Sequence, residues 1–211
     1  MILTFIVVSL FLIVRNGGFG GPKFEFNYVP IPIRPERFPV EKPLRLPRNR
    51  AAKIPRIQHE FATETIEAKK VRESRLQEVR EEFLHAWGGY KAEAWGQDEL
   101  RPIAGGFKTP FCGWAATMVD SLDTLLIMGL QEEFEIALAE LAKIDFTYTE
   151  GCQVNLFETT IRHLGGLLSA FDISGGKYKI LVEKAVELAE MLYTAFDTPN
   201  RMPTPHYVWS A

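Results

Sequence analysis

The chain has 211 residues, 46% hydrophobic and 24% charged, which excludes a wholly disordered or collagen-like protein. Its charge is unevenly spread: Lys23 to Gln58 holds nine Lys/Arg against three Asp/Glu, while His59 to Ala211 carries −10 within an overall −3. So acidic a folded part argues against nucleic acid as a partner, because neutralising phosphates needs a basic face.

Ile2 to Val14 is apolar except for Thr4 and Ser9, and Arg15 ends the run. As a helix it covers roughly 20 Å, short of the ~30 Å hydrocarbon core, and its length suits the apolar region of a secretory signal. No basic residues precede it and no A-x-A site follows, so an uncleaved signal anchor is the competing reading of residues 1–20. Eight of the thirteen prolines then fall between Pro22 and Pro55, as in Val29-Pro30-Ile31-Pro32-Ile33-Arg34-Pro35. Missing N–H donors and fixed φ disfavour helix, so residues 21–58 read as an extended basic stem, a spacer rather than a partner ligand.

Residues 59–211 read as all-α. Leu76, Val79, Phe83, Trp87 and Tyr90 step by three and four, predicting an amphipathic helix from near Thr63 to before Gly96. Pro102, Gly105, Gly106 and Pro110 mark a loop. A second helix is expected over Trp114 to Met128, a third over Glu132 to Ile144 and a fourth over Asn155 to Phe171. A fifth runs from Tyr178 to Phe196 through Leu181, Ala185, Leu188 and Leu192. Short loops make neighbours antiparallel, and no strand alternation competes.

Two groups of polar residues sit on these helices. The second is apolar except for Thr117, Asp120, Ser121, Asp123 and Thr124. Apolar all round implies burial, and a buried carboxylate needs a partner. Asp120 and Asp123, spaced i,i+3, share a face, which reads either as the acid-lined wall of a cavity or as capping on a solvated stripe. On the fourth helix Glu158 and Arg162 are i,i+4, an ordinary ion pair unless the Gly165-Gly166 that follows packs the helix closely. Paired carboxylates in a sugar-sized cleft are the equipment of glycoside hydrolysis.

Four blocks in order carry a resemblance: His85-Ala86-Trp87-Gly88-Gly89-Tyr90; Ala94-Trp95-Gly96-Gln97-Asp98-Glu99-Leu100-Arg101-Pro102; Val119-Asp120-Ser121-Leu122-Asp123-Thr124-Leu125; and Asn155-Leu156-Phe157-Glu158-Thr159-Thr160-Ile161-Arg162, continued by Leu164-Gly165-Gly166-Leu167-Leu168-Ser169-Ala170. They resemble the class I α-1,2-mannosidases, glycoside hydrolase family 47, and the ending Phe196-Asp197-Thr198-Pro199-Asn200-Arg201-Met202-Pro203 resembles the fungal members. The resemblance implies an (α/α)7 barrel closed by a β-hairpin. It also implies inverting removal of terminal α-1,2-linked mannose from high-mannose N-glycans, with a bound Ca²⁺, in the endoplasmic reticulum or Golgi lumen or after secretion. Such an arrangement accommodates a membrane-anchoring N-terminal segment. Glu158 falls on the family's proton-donor position, Asp120 on an acid that supports the cavity with Asp123 in the same block, and Arg162 on the arginine beside the catalytic glutamate. A non-hydrolytic relative that binds mannose glycans for disposal of misfolded glycoproteins is the alternative. The blocks cover about the first quarter to third of the family's catalytic domain, about five of its fourteen helices. The general base and the calcium-holding threonine are therefore expected outside this chain, leaving it without a calcium site of its own and inactive alone.

In an oxidising lumen Cys112 and Cys152 are expected to form one bridge, the alternative being two buried thiols. The bridge would bring the starts of the second and fourth helices together. His59, His85, His163 and His206 show no metal-ligand spacing, and His163 reads as packing or surface. Trp87, Trp95 and Trp114 read as core; Trp209 is a further aromatic able to stack on a sugar. There is no N-x-S/T sequon.

Overall fold

The computed structural model describes residues 35–42, 57–149 and 151–208. The apolar run at residues 2–14, most of the stem and Trp209 lie outside them. No helix among the described residues is long and apolar enough to cross a membrane.

The described elements are mostly helical. Helix α1, Ile66–Glu93, starts at Thr65, whose hydroxyl accepts from the Ala68 N–H, and Arg72 grips Glu64 at its base. Its predicted stripe is real but only half covered: Trp87 and Tyr90 are buried, while Leu76 and Val79 are 56% and 58% exposed. Trp87, Tyr90 and Trp95 meet edge-on and tilted at the buried end of α1, with Trp95 half-buried rather than in the core.

The predicted second helix is two. α2, Ala116–Asp120, and α3, Leu122–Ile127, meet at Ser121. The Ser121 hydroxyl donates back to the Thr117 carbonyl at 2.7 Å, a bond that bends a helix by competing with its ladder. α4, Gln131–Leu141, follows as expected. The predicted fourth helix is likewise interrupted. α5, Leu156–Thr159, passes into a π-helical turn, Thr160–Leu164, before α6, Gly165–Ile173. The Thr160 hydroxyl donates to the Leu156 carbonyl at 2.7 Å where the turn widens. α7, Lys179–Tyr193, ends in a 3₁₀ turn, Thr194–Phe196.

Strands also occur, contrary to expectation. β1, Glu99–Leu100, pairs antiparallel with β2, Phe107–Lys108. β3, Gln153–Asn155, pairs with β4, His206–Val208, placing Asn155 opposite His206. Elements of two or three residues are too short to show a period of two. The pairing still matters, because β4 delivers the chain's far end to the start of α5.

The core lies where α3 packs on α4 and α6, and α6 on α7. Met118, Val119, Leu122, Leu125, Phe134, Leu167, Leu181, Leu188 and Leu192 are fully buried there. One close approach fixes the spacing. A Cβ on Gly166 would sit 2.6 Å from the Val119 carbonyl oxygen, whereas one on Gly165 would meet nothing nearer than the Thr160 oxygen at 3.6 Å. The glycine pair therefore divides into a packing residue and a passive one. Gly166→Ala is expected to cost about 1–3 kcal/mol as the α2–α6 contact is wedged apart. Gly165→Ala is expected to gain about 0.5–1 kcal/mol by removing freedom from the unfolded chain. Urea midpoints of the two variants shifting in the same direction would contradict this division.

Candidate functional site

Three of the residues singled out in the sequence converge. The amide oxygen of Asn155 accepts from the Glu158 N–H at 3.0 Å, capping α5. Its amide nitrogen lies 3.0 Å from His206 Nε2 on β4. From the helix so fixed, Glu158 Oε2 receives Arg162 Nε at 2.8 Å. The same guanidinium reaches across to Asp120 Oδ2, with Nη1 at 3.2 Å. Arg162 thus ties the end of α2 to α5, and its Cζ stands 5.4 Å from the centre of the Phe111 ring. Burial works against the arginine's charge, but the two carboxylates outweigh it and leave its pKa raised.

The cluster is open rather than buried: the side chains of Glu158, Arg162 and Asp120 are 29%, 40% and 43% exposed. This corrects the expectation of buried carboxylates on the second helix. The break at Ser121 lies between Asp120 and Asp123, and they serve different partners. Asp123 Oδ2 accepts from Ser169 Oγ on α6 at 2.7 Å, and Oδ1 from Thr124 Oγ1 at 3.2 Å. Asp120 belongs to the charged cluster; Asp123 ties α3 to α6. Phe157 and Ile161 flank the cluster and are exposed.

Asp98 carries more of this site than the sequence reading assigned to it. Its side chain is fully buried, and its carboxylate collects three backbone N–H groups: Phe111 at 2.7 Å, Gly113 at 2.9 Å and Ala116 at 3.1 Å. Its own carbonyl accepts from the Thr117 N–H and hydroxyl. Burial raises its pKa, and the three N–H groups oppose that rise. The loop wraps this carboxylate by placing Cys112, Gly113 and Ala115 at positive φ of 63°, 71° and 53°. One signal for it existed. The residue before α2 is Ala115, which has no side-chain oxygen, so the helix's first N–H groups need an acceptor from elsewhere. The loop in turn places Phe111 beneath Arg162.

Next to Phe111, Cys112 is bonded to Cys152 with Cα atoms 5.4 Å apart, so the expected bridge forms. It joins the loop before α2 to the segment before β3, bringing the two acidic motifs together. His163, one residue beyond Arg162, turns inward. It is fully buried among Phe111, Trp114 and Phe146, neither ring nitrogen makes a well-formed hydrogen bond, and the packing reading of this residue holds.

Among the described residues no group of three or more His, Cys, Asp or Glu is arranged to hold a metal ion. Asp120 is engaged by Arg162 and Asp123 by Ser169, so these residues do not fit the calcium that the resemblance implies.

Glu158, Arg162 and Asp120 thus form a carboxylate–arginine–carboxylate chain beside the loop that carries Phe111. The model of glycosyl hydrolase family 47 matches residues 82–211, and the chain belongs to that family. Over 133 residues it is 46% identical to the mannosyl-oligosaccharide 1,2-alpha-mannosidase MNS1 of Arabidopsis thaliana, covering 63% of this chain and 23% of that protein. It is 46% identical over 121 residues to the endoplasmic reticulum mannosyl-oligosaccharide 1,2-alpha-mannosidase of Homo sapiens, covering 57% of this chain and 17% of that one. The alpha-1,2-mannosidase from Trichoderma reesei superposes with a TM-score of 0.61 at 32% identity, over 64% of this chain and 30% of that structure. The chain thus spans roughly a quarter of the length of these relatives. Plant, mammalian and fungal members all match at comparable identity.

Proposed function

We propose that this chain supplies the proton-donor wall of a mannosyl-oligosaccharide 1,2-α-mannosidase, acting on terminal α-1,2-linked mannose of high-mannose N-glycans. The observation that carries the reading is the Glu158–Arg162–Asp120 cluster, built from two of the blocks that resemble the family. The relatives' names favour a hydrolase over a non-hydrolytic glycan-binding protein.

In this reading the helices are the opening part of an (α/α)7 barrel, with residues 59–211 the start of the catalytic domain. Residues 21–58 are its stem, and residues 1–20 a signal or anchor that takes the protein into the secretory pathway. Arg162 occupies Oε2 of Glu158, while Oε1 has no hydrogen-bond partner among the described residues. Oε1 is therefore the atom placed to pass a proton, through a water, to the leaving glycosidic oxygen. Asp120 holds the other end of Arg162, so the guanidinium is fixed on both sides. An inverting hydrolase needs a second carboxylate ~6.5–9.5 Å away to activate water. No residue described here is assigned that part. Calcium would come with the family resemblance.

The test uses the chain continued to the length of its relatives and follows mannose release from α-1,2-mannobiose. Glu158→Gln keeps the shape but cannot cycle a proton, and is expected to lower the rate by at least about 10²–10⁴-fold. Activity within tenfold of the parent would remove Glu158 from the role.

A further inference from the structure

The stem is not wholly a spacer. Residues 35–42, set among its prolines, lie against the loop that follows α7. Between Pro35 and Pro39 only three residues carry a backbone N–H, and Asp197 takes two of them. Its Oδ2 accepts from Arg37 N at 2.7 Å and its Oδ1 from Phe38 N at 2.9 Å. Arg201 completes the grip by donating from Nη2 to the Phe38 carbonyl. Each of these contacts is to a main-chain group of the stem, which bends at Arg37 and Phe38 so that two consecutive N–H groups reach one carboxylate; recognition is of a bent, proline-flanked backbone rather than of particular side chains.

The receiving loop is held in shape by bonds of its own. Thr198 Oγ1 donates to the Met202 carbonyl at 2.7 Å, and Asn200 Oδ1 accepts from the Met202 N–H at 3.1 Å. Arg201 N bonds the Thr198 carbonyl at 3.2 Å, and Arg201 itself has a φ of 60°. A non-glycine residue in that region is held there by its surroundings, and here the residue so held is the one that reaches the stem. Asp197 has its pKa lowered chiefly by the Arg37 N–H; desolvation opposes the fall, and the Phe38 N–H and the charges of Arg201 and Arg37 add to it.

We propose that the Asp197–Arg201 loop is a receptor for a bent, proline-flanked peptide, and that its occupant is this chain's own stem at Arg37-Phe38, held as a strap across the domain. The strap steadies the segment leading to β4, and so the strand that sets His206 against Asn155 at the base of α5. It makes no use of sugar chemistry, so it stands or falls apart from the hydrolase reading.

The experiment is limited trypsin digestion of the full chain, timing cleavage of the Arg37–Phe38 bond against the same bond in a free peptide of residues 33–44. The bond in the chain is expected to be cut at least about tenfold more slowly than in the peptide, because cleavage waits on release of the strap. Asp197→Ala is expected to restore the peptide's rate, and Arg201→Ala to move part of the way. A wild-type rate equal to the peptide's overturns the proposal, as does full protection in Asp197→Ala. If circular dichroism shows that Asp197→Ala does not fold, the wild-type comparison and Arg201→Ala decide alone.

Discussion

Replacing both Cys112 and Cys152 with alanine is expected to lower the stability of the domain by about 4 kcal/mol. The bridge closes a loop of forty residues, and the chain-entropy relation gives that figure for a cross-link of this span. For a folded part of this size the loss corresponds to a fall in Tm of about 10 °C. The effect acts mainly on the unfolded chain, so the native helices should keep their content and the urea midpoint should drop. A loss below about 1 kcal/mol would mean that the Asp98 clamp alone holds the loop before α2, and that the cross-link restrains little. Treating the wild-type protein with reductant provides the same comparison without changing a residue.

The second large effect concerns acid. His163 is buried, and that burial pulls its pKa down to about 4; the positive charge of Arg162 adds to the fall while the Trp114 backbone opposes it. In the unfolded chain an imidazole takes up its proton near ~6.5. The sign follows directly. Above ~6.5 the ring is neutral in both states and the native fold is at full strength. As pH falls from there the unfolded chain binds the proton first, so stability is lost progressively until the native ring also titrates near 4. The total is about 3 kcal/mol at ~1.36 kcal/mol per unit. His163→Leu removes the titrating group and fills the same aromatic pocket. The stability difference between wild type and His163→Leu is expected to change by that amount between pH 7 and pH 4, read from urea titrations at several pH values. A difference that stays constant with pH would show that His163 takes no part in acid unfolding.

These two predictions rest on features of unequal visibility in the sequence. The bridge was legible as a pair of cysteines ahead of two motif helices. α4 and α7 were legible because their apolar residues recur at helical spacing, and so was the pairing of Glu158 with Arg162. What escaped was set by single hydroxyls and by contacts distant in sequence. Ser121 and Thr160 donate back to carbonyls four residues earlier, which splits or widens helices that read as continuous by period. Asp98 lay inside a quoted block yet received no role, since the loop that wraps it is thirteen to eighteen residues further on. β3 and β4 were hidden by their brevity, and the upper half of α1 kept its stripe without a neighbour to cover it.

The strap at Arg37 also changes a distance. Were residues 1–20 to sit in a membrane, a free stem ending at residue 58 would let the domain stray up to about 120 Å from the surface, at ~3.1 Å per residue of extended chain. Pinned at Arg37 by Asp197, the domain would be separated from that surface by about 17 residues, a reach near 50 Å. Whatever the domain binds would then have to be met close to the bilayer, in a layer about one domain deep.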